Sequence, residues 1–397
     1  MFDPDNTDSK YDALYSGYWS GTSFSTPLVA GSAALIKAIN PFFSESQIMS
    51  AILDNADPID SLNPGFEGKL GSGSLNLFRA VRAAAPIGYE KGISAVPPLY
   101  RRVTSIAAGQ ATGGTPEIGI FSSKVLVSSF APYGSSQAPI GIRVSQGDLD
   151  GDLEDDIVVV PAGDFVSEVR IYTKGGVYKN SFMAFPEHFQ KGMNVHVADV
   201  LPSTGSEIIV ASASGESQEV RIFNGKGSLL YTLQPFHTSF GIAVSSINFD
   251  NKGTREIEVG AVVGNTYQIK ILNEAGKIFK ERSIAQVNGN PSLAVGNVAG
   301  DSSVETVLTS SANNRANVLI LDKDLDYIGE WSPFDSYAFK ELPVSVVYSR
   351  TQRGRGSIVF GSGKGGRPKI TLFDAKGKER GFFWVGNRDS ELGLNVG

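Results

Sequence analysis

One serine near the start of the chain stands where it could act as a nucleophile. Ser23 lies in Gly21-Thr22-Ser23-Phe24-Ser25-Thr26-Pro27, directly before an apolar stretch that runs from Leu28 to Ile39. The stretch leaves almost no polar face, which predicts a buried helix that ends near Asn40-Pro41. A hydroxyl at the N-terminus of such a helix lies in a positive dipole beside free backbone N–H groups, which can stabilise an oxyanion. By itself the local pattern favours a helix cap, so the motif alone does not decide the role of Ser23.

A second group of side chains could bind a hard cation. Between Asp148 and Asp156, carboxylates occupy the first, third, fifth and ninth positions, a spacing at which oxygen ligands can converge on one ion. A backbone carbonyl near Glu154 could add a further ligand. The predicted metal-binding residues are Asp148, Asp150, Asp152, Glu154 and Asp156. The pattern predicts a structural calcium ion, and an acidic β-turn without a metal is the alternative.

Helices surround Ser23 and continue to about residue 85. Ser44 and Gln47 form a capping box that predicts the start of a second helix. The apolar stripe of that helix consists of Ile48, Ala51 and Ile52. A third, short helix is predicted from Leu75 to Ala84. Residues 86–103 contain Pro86, Pro97 and Pro98 and show little periodicity, so the chain divides into a helical segment 1–85, a linker 86–103 and a β region 104–397.

The β region repeats itself with a period of about 50 residues. Aliphatic strands begin at equivalent pairs spaced 51, 49, 49 and 52 residues apart. These pairs are Asp156-Ile157, Glu207-Ile208, Glu256-Ile257, Glu305-Thr306 and Ser357-Ile358. A second series with the same period is Val169-Arg170-Ile171-Tyr172, Val220-Arg221-Ile222-Phe223, Ile269-Lys270-Ile271-Leu272, Val318-Leu319-Ile320-Leu321 and Ile370-Thr371-Leu372-Phe373. Each unit holds about four strands, which is the size of a β-propeller blade.

The two ends of the β region complete one another. Residues 104–136 match the last three strands of a unit, and Gly393-Leu394-Asn395-Val396 matches a first strand such as Gly192-Met193-Asn194-Val195. One mixed blade and five complete blades give a six-bladed ring, and an incomplete seven-bladed ring is the alternative. The predicted fold is therefore mainly β, a six-bladed β-propeller preceded by a short helical segment.

The serine motif and its continuation resemble the subtilisin family of serine proteases. The residues from Gly21 to Pro27, with Val29-Ala30-Gly31, are similar to the family's serine motif, and the similarity covers about residues 11–85. It is carried further by Asn40-Pro41, Asp54-Asn55-Ala56-Asp57, Asn63 to Gly71 and Gly73-Ser74-Leu75-Asn76. The resemblance implies that Ser23 is the catalytic nucleophile and that the helical segment is a C-terminal fragment of a subtilisin-like α/β domain.

The family's other catalytic residues are not found in the expected places. The subtilisin triad runs Asp, His, Ser along the chain, whereas only 22 residues precede Ser23 and none is a histidine. The three histidines, His188, His196 and His237, lie in the β region, and the oxyanion-hole asparagine has no room before Ser23. We therefore expect no measurable protease activity from the isolated chain, and we expect the helix after Ser23 to expose apolar surface.

The acidic loop resembles the calcium loop of integrin-like FG-GAP propeller repeats, although Leu153 stands where that loop commonly has glycine. Equivalent positions in later units have lost ligands. They hold Asp199, Ser203 and Glu207 in one unit and Asn248, Asp250 and Lys252 in the next. The resemblance therefore implies calcium at the first loop alone.

Composition excludes several classes of function. The net charge is −6 and no run of Lys or Arg occurs, which argues against a nucleic-acid partner. The chain has no cysteine, so disulfide and thiol chemistry are impossible. The apolar stretch from Leu28 to Ile39 is too short to span a bilayer, and no signal peptide is visible.

The resemblance implies a portion of a secreted, extracellular or cell-surface serine endopeptidase that acts on proteins or peptides. The propeller would bind a surface, a glycan or a protein, or would dock on the protease domain. The alternative is a non-enzymatic, calcium-stabilised adhesion propeller that carries a vestigial protease tail.

Overall fold

The computed structural model describes two compact units, which divide the chain into Met1–Ala95 and Val96–Gly397. The predicted linker 86–103 lies outside the described residues. The described ranges are 22–40, 43–60, 63–84, 105–111, 116–122, 124–134, 139–152, 154–202, 205–249, 254–285, 287, 291–300, 303–312, 315–334, 341–348 and 355–397.

Three helices form the described part of the first unit: α1 (Thr22–Ile39), α2 (Glu45–Leu53) and α3 (Leu77–Ala84). The predicted capping box at the start of α2 is confirmed. The Ser44 hydroxyl accepts from the backbone N–H of Gln47 at 3.3 Å, and the Gln47 side chain accepts from the backbone N–H of Ser44 at 2.8 Å. These two bonds satisfy N–H groups that have no acceptor within the helix.

The core of the helical unit is small. Its buried residues are Ile36, Ala51, Ile52, Ala80 and Ala84. The expectation that α1 is buried nearly all round is wrong for this unit, since Leu28 is 66% exposed and Val29 and Leu35 are exposed as well. Only α2 and α3 contact α1 among the described elements of this unit, and they cover the face of Ile36. The exposed apolar surface predicted for this helix is therefore present.

The second unit is a ring of antiparallel sheets. Among the described residues, 24 strands form six sheets of four strands each. In chain order they are β1 (Ser105–Gln110), β2 (Ile118–Ser122), β3 (Val125–Phe130), β4 (Ile142–Gly147), β5 (Asp156–Pro161), β6 (Glu168–Thr173), β7 (Tyr178–Met183), β8 (Met193–Ala198), β9 (Glu207–Ser212), β10 (Val220–Phe223), β11 (Leu229–Leu233), β12 (Ile242–Ile247), β13 (Glu256–Val263), β14 (Thr266–Leu272), β15 (Ile278–Ala285), β16 (Ser292–Gly296), β17 (Glu305–Ala312), β18 (Arg315–Leu321), β19 (Tyr327–Trp331), β20 (Val344–Tyr348), β21 (Gly356–Gly361), β22 (Lys369–Phe373), β23 (Glu379–Trp384) and β24 (Leu394–Val396).

Each sheet is one propeller blade. Blades 2 to 6 consist of four consecutive strands, from β4–β7 to β20–β23, whereas blade 1 has the order β24-β1-β2-β3. Strand β24 pairs with β1, with Ala108 opposite Val396 and Gln110 opposite Leu394. The innermost strands β24, β4, β8, β12, β16 and β20 contact one another in that circular order. The prediction of a six-bladed ring closed by its own ends is confirmed, and the seven-bladed alternative is wrong.

The core lies between the blades. The second strands carry the aliphatic runs of the repeat, and every residue of β5 and β9 is buried. Their side chains pack against the neighbouring blade, as Ile209 of blade 3 packs with Val244 and Val259 of blade 4. The fourth strands lie at the outside of the ring and expose hydrophobic side chains such as Val125 and Tyr327. A strand buried on both faces needs continuous apolar sequence, which explains the first repeat series.

The second repeat series has a structural reason that the pattern did not reveal. In blades 2 to 4 its second residue is basic and binds the segment that leaves the preceding blade, whereas Leu319 and Thr371 hold this position in blades 5 and 6. Arg170 donates to the carbonyl of Pro132 at 2.8 Å and lies 4.5 Å from the ring centre of Tyr133. Arg221 makes the same pair of contacts with Ala184 and Phe185, and Lys270 does so with Pro235 and Phe236. Each cation thereby holds one blade to the next by a hydrogen bond and a cation–π contact.

Among the described residues, no helix combines the length and the apolar character that a bilayer crossing requires.

Candidate functional site

Ser23 is the second residue of α1 and its side chain is exposed. The first four N–H groups of a helix have no acceptor within it, so the backbone around Ser23 offers donors that α1 itself does not use, at the positive end of the helix dipole. Pro27 lies inside α1 rather than in its first turn, because the helix begins at Thr22. Proline has no N–H, so the carbonyl of Ser23 lacks its usual partner four residues on. This geometry leaves the hydroxyl accessible at a helix N-terminus, as the sequence predicted.

The histidines all lie in the propeller unit. His196 of β8 is hydrogen-bonded to the hydroxyl of Ser246 at 2.9 Å. Burial, and secondarily the charge of Arg255, lowers the pKa of His196 well below 6.5, although the residue keeps part of its surface accessible. His237 contacts the side-chain oxygen of Gln218 at 3.3 Å. His196 is thus held neutral inside a blade contact, which suits packing better than general-base chemistry.

Two stretches of the serine-motif continuation meet at Asp57. The backbones of Asp57 and Ser74 exchange two hydrogen bonds of 2.8 Å. The Asp57 carboxylate accepts from Asn76 and Arg79 at 3.1 Å. Gly73 has φ +121, and a side chain there would lie 2.0 Å from the Asp57 carbonyl. Glycine is therefore required at this position, which gives a physical reason for the spacing of these motifs.

The acidic loop of blade 2 gathers three of the five predicted ligands. Carboxylate oxygens of Asp148, Asp150 and Asp152 lie within 4.8 Å of one another. The Asp148 carboxylate accepts the backbone N–H groups of Gly151 and Asp152 at 2.7 and 3.1 Å, which folds the loop around it. Glu154 is exposed, and neither it nor Asp156 belongs to the group of three. Three converging carboxylates fit a hard cation in their chemistry.

A lysine that the sequence did not point to lies in this loop. Lys179 of β7 donates to Asp156 at 2.9 Å and to Asp150 at 3.0 Å. Burial tends to lower the pKa of Lys179, but the hydrogen bonds to Asp156 and Asp150 outweigh it and raise the pKa overall. The ammonium group neutralises two of the predicted calcium ligands, so a cation bound by these two carboxylates would have to displace Lys179.

In blades 3 to 5 a glutamate stands at the position of Asp156 and binds backbone N–H groups of the loop before it. Glu207 accepts the backbone N–H groups of Val200 and Leu201 at 3.0 Å. Glu256 accepts from Phe249 at 2.7 Å, and Glu305 accepts from Val298 and Ala299 at 2.8 and 2.9 Å. These three residues are equivalent to Asp156, and all are buried. We call them the loop-locking glutamates.

One opening of the ring carries a polar rim. Asn395 of blade 1 donates to the carbonyl of Ile142, and Asn194 of blade 3 donates to the carbonyl of Ile242, both at 2.8 Å. Arg143 of blade 2 donates to the carbonyl of Met193 at 3.2 Å and to Glu341 at 2.9 Å. A cavity of ≈ 110 Å³ lies here, and its polar and aromatic lining includes Arg143, Asn194, Phe240, Tyr267, Glu341 and Asn395. Each of these hydrogen bonds joins two blades, so the rim holds the ring together.

The contact between blades 4 and 5 contains a buried acid. The Thr306 hydroxyl donates to Glu258 at 2.8 Å, while the other carboxyl oxygen of Glu258 and the hydroxyl of Tyr267 have no partner among the described residues. Burial raises the pKa of Glu258 to about 7, and the bond from Thr306 offsets this in part. Blades 2, 3, 5 and 6 have aliphatic residues at the same place in the register, namely Val158, Ile209, Val307 and Val359. A glutamate interrupting an aliphatic repeat was the sequence signal for this site.

Comparison with known proteins separates the two units. Residues 4–76 match the family described as "Subtilase family". The plant protein "Subtilisin-like protease SBT4.3" of Arabidopsis thaliana is 42% identical over 76 residues, which are 19% of this chain and 10% of that protein. The chain thus spans about a tenth of the length of the plant proteases it matches.

Solved structures are similar to this chain over about three quarters of its length. A protein of unknown function from Bacteroides caccae has a TM-score of 0.48 at 11% identity, covering 74% of this chain and 98% of that one. The Dos1 propeller has a TM-score of 0.39 at 13% identity and covers 71% of each chain. The chain thus resembles the subtilase family over residues 4–76, and its own strand pairing forms a six-bladed β-propeller.

Proposed function

We propose that Ser23 is the nucleophile of a subtilisin-like serine endopeptidase. The observation that carries the proposal is the subtilase match over residues 4–76, which includes Ser23 at the exposed N-terminus of α1. The substrate would be a protein or a peptide. The chain covers a small part of the proteases it matches, so the aspartate, the histidine and the oxyanion-hole asparagine would come from a further catalytic segment.

The chemistry follows from the position of the hydroxyl. The Ser23 Oγ would attack the peptide carbonyl carbon while a histidine takes its proton and passes it to the leaving amine. The backbone N–H groups at the start of α1 would contribute to stabilising the oxyanion. Water would then hydrolyse the acyl-enzyme and regenerate the serine.

Peptide hydrolysis tests this role of Ser23. We expect no turnover by the 397-residue chain alone, and turnover once a catalytic segment bearing the aspartate, histidine and asparagine is supplied. The variant Ser23→Ala should abolish that turnover, whereas Ser25→Ala is the matched control from the same motif. Ser23-dependent hydrolysis by the chain alone would refute the inactivity, and turnover that survives Ser23→Ala in the assembled enzyme would refute the nucleophile.

We further propose that the propeller binds a surface, a glycan or a protein, and that the whole acts outside the cell or at its surface. Calcium would be held by Asp148, Asp150 and Asp152, with Asp156 as a further ligand once Lys179 moves away. Glu154 would contribute through its backbone. The convergence of the three carboxylates supports this site.

A non-enzymatic adhesion propeller is the second candidate. It is favoured by one observation: the three histidines all belong to the propeller unit, and His196 is engaged in a blade contact. The assembled-enzyme assay separates the two candidates, because an adhesion protein would bind a ligand without Ser23-dependent hydrolysis.

A further inference from the structure

Blade 6 differs from the rest of the molecule in charge. Residues 341–391 contain ten Lys and Arg against five Asp and Glu, a net charge of +5, in a chain whose net charge is −6. The equivalent span of blade 2, residues 139–189, contains four basic against nine acidic residues, a net charge of −5. Blade 6 is therefore the part of the propeller to which an anionic partner would be drawn.

Two aromatic rings share one face of the outermost strand of this blade. Phe382 and Trp384 are alternate residues of β23, and their ring centres are 6.4 Å apart. Phe382 is 47% exposed. Phe383, between them, points to the opposite face and lies 5.0 Å from the ring of Phe121 in blade 1. The core therefore uses Phe383, and it leaves Phe382 and Trp384 toward the outside.

Each of these rings has a cation beside it. The Lys369 ammonium lies 4.1 Å from the ring centre of Phe382, and the Arg388 guanidinium lies 5.9 Å from that of Trp384. Lys369 and Trp384 are direct partners in the β22–β23 register. Neither cation makes a salt bridge to any described residue, whereas Asp374 is bound by Arg380 at 2.8 Å. We call Lys369, Phe382, Trp384 and Arg388 the blade-6 patch.

We propose that the blade-6 patch binds an acidic polysaccharide. A uronic acid residue has an apolar C–H face and a carboxylate at its edge, so one sugar can cover an aromatic ring and pair with the cation beside it. An acidic peptide would satisfy the cations but offers no flat C–H face for the rings. Asp389 and Glu391 follow Arg388 in the sequence and would limit the length of the anionic strand that the patch accepts. The inference rests on the proposed binding role of the propeller and names its ligand and its surface.

Binding of the 397-residue chain to three polymers tests the proposal. The probes are polygalacturonate, neutral dextran and poly-L-glutamate. Their binding is measured by calorimetry and by tryptophan fluorescence. We expect polygalacturonate to bind most tightly, with an affinity that falls as NaCl rises. Trp384→Ala, and Lys369→Gln combined with Arg388→Gln, should each weaken that binding about tenfold.

The controls are an aromatic residue in the outer strand of blade 5 and a lysine directly before the outer strand of blade 4. Tyr327→Ala in blade 5 and Lys277→Gln, whose ammonium lies 5.4 Å from the ring centre of Phe279, should leave the affinity unchanged. If Trp384→Ala does not fold, the double cation variant decides, since it keeps both rings.

Four results would overturn the proposal: no binding of polygalacturonate, equal or tighter binding of neutral dextran, equal or tighter binding of poly-L-glutamate, or patch variants that bind like the native chain. A ligand bound through another face would leave the propeller's binding role standing while removing the patch. The hydrolysis assay on Ser23 is independent of every outcome here.

Discussion

The acidic loop of blade 2 and the corresponding loops of blades 3 to 5 precede equivalent strands, but they are held by different contacts. In blade 2, short carboxylates point inward and need a positive charge, which Lys179 supplies at 2.9 and 3.0 Å. In blades 3 to 5 the loop turns its backbone N–H groups inward, and a loop-locking glutamate accepts them. In blade 2 the loop amides of Gly151 and Asp152 are bound by Asp148, and the carboxylate of the second strand, Asp156, binds Lys179.

The residue that begins the second strand is one methylene shorter in blade 2 than in blade 3. Asp156 and Glu207 begin equivalent second strands, but the glutamate is longer and reaches the amides of the loop before it. In blade 3 the second strand itself thus closes the loop. In blade 2 the carboxylates of Asp150 and Asp156 are instead paired with the ammonium of Lys179 from the outer strand.

The largest loss of stability is expected when a loop-locking glutamate is replaced. Glu207→Ala removes the acceptor of the buried N–H of Val200 and of the half-buried N–H of Leu201, and it should lower the free energy of unfolding by about 3 kcal/mol. Asp156→Ala in blade 2 should cost only about 1 kcal/mol, because the partly exposed Lys179 regains water. Urea unfolding of both variants measures the contrast. Equal losses would show that the two loops are not held differently.

Glu258 is a useful contrast to the loop-locking glutamates. It is buried like them, but it accepts a hydrogen bond from the Thr306 hydroxyl and not from backbone N–H groups. Its folded pKa of about 7 lies above the ordinary 4.5, so its stabilising contribution is complete below pH 4.5 and is lost as the pH rises through 7. Glu258→Gln keeps an acceptor for Thr306. The difference in the free energy of unfolding between this variant and the native chain should be about 3 kcal/mol more in favour of the variant at pH 8 than at pH 4.5.

Melting curves of the native chain and of Glu258→Gln between pH 4 and pH 8 test this. Glu258→Val, which installs the residue type of blades 2, 5 and 6, is the matched control and should remove the same pH dependence. A difference between native and variant that stays constant across the range would contradict the assignment.

The smallest effect concerns Lys179 and calcium. Lys179→Met should destabilise the calcium-free protein by about 1 kcal/mol, because the carboxylates then repel one another at a partly exposed site. Calcium should restore the melting temperature and raise it more in this variant than in the native chain. Lys174→Met, outside the loop, should behave like the native protein. If calcium shifts neither the native chain nor Lys179→Met, and Asp150→Ala is equally silent, the loop binds no calcium.

Much of the fold could be read from the sequence because the repeat is encoded where packing is strict. The aliphatic second strands must be buried on both faces, so their period survives in every unit and predicts the blades. The capping box of Ser44 and Gln47 was equally predictable, since it depends only on residues three apart. The match of Gly393 to Val396 with a first strand correctly indicated the closure.

The remaining features depend on contacts between distant residues. Lys179 follows Asp150 by 29 positions and reaches it only across the outer strand of its blade. The burial of α1 was predicted from its composition, but composition does not say what covers a helix, and Leu28 is exposed. Glu258 and Tyr267 could have been found, because aligning the units shows both as exceptions to the repeat. The role of the basic residue in the second series needed the position of the preceding blade.

The pairing of β24 with β1 has a consequence for biosynthesis. Gln110 is paired with Leu394. The first blade therefore cannot pair with its innermost strand until almost the entire propeller has been translated. At a typical ribosomal rate this delay is roughly 15 to 60 s. During that time β1 presents an unpaired edge to the surrounding proteins, a template for strand addition by other chains. Successful production of the ring should therefore depend on what shields β1 while the ribosome is still working.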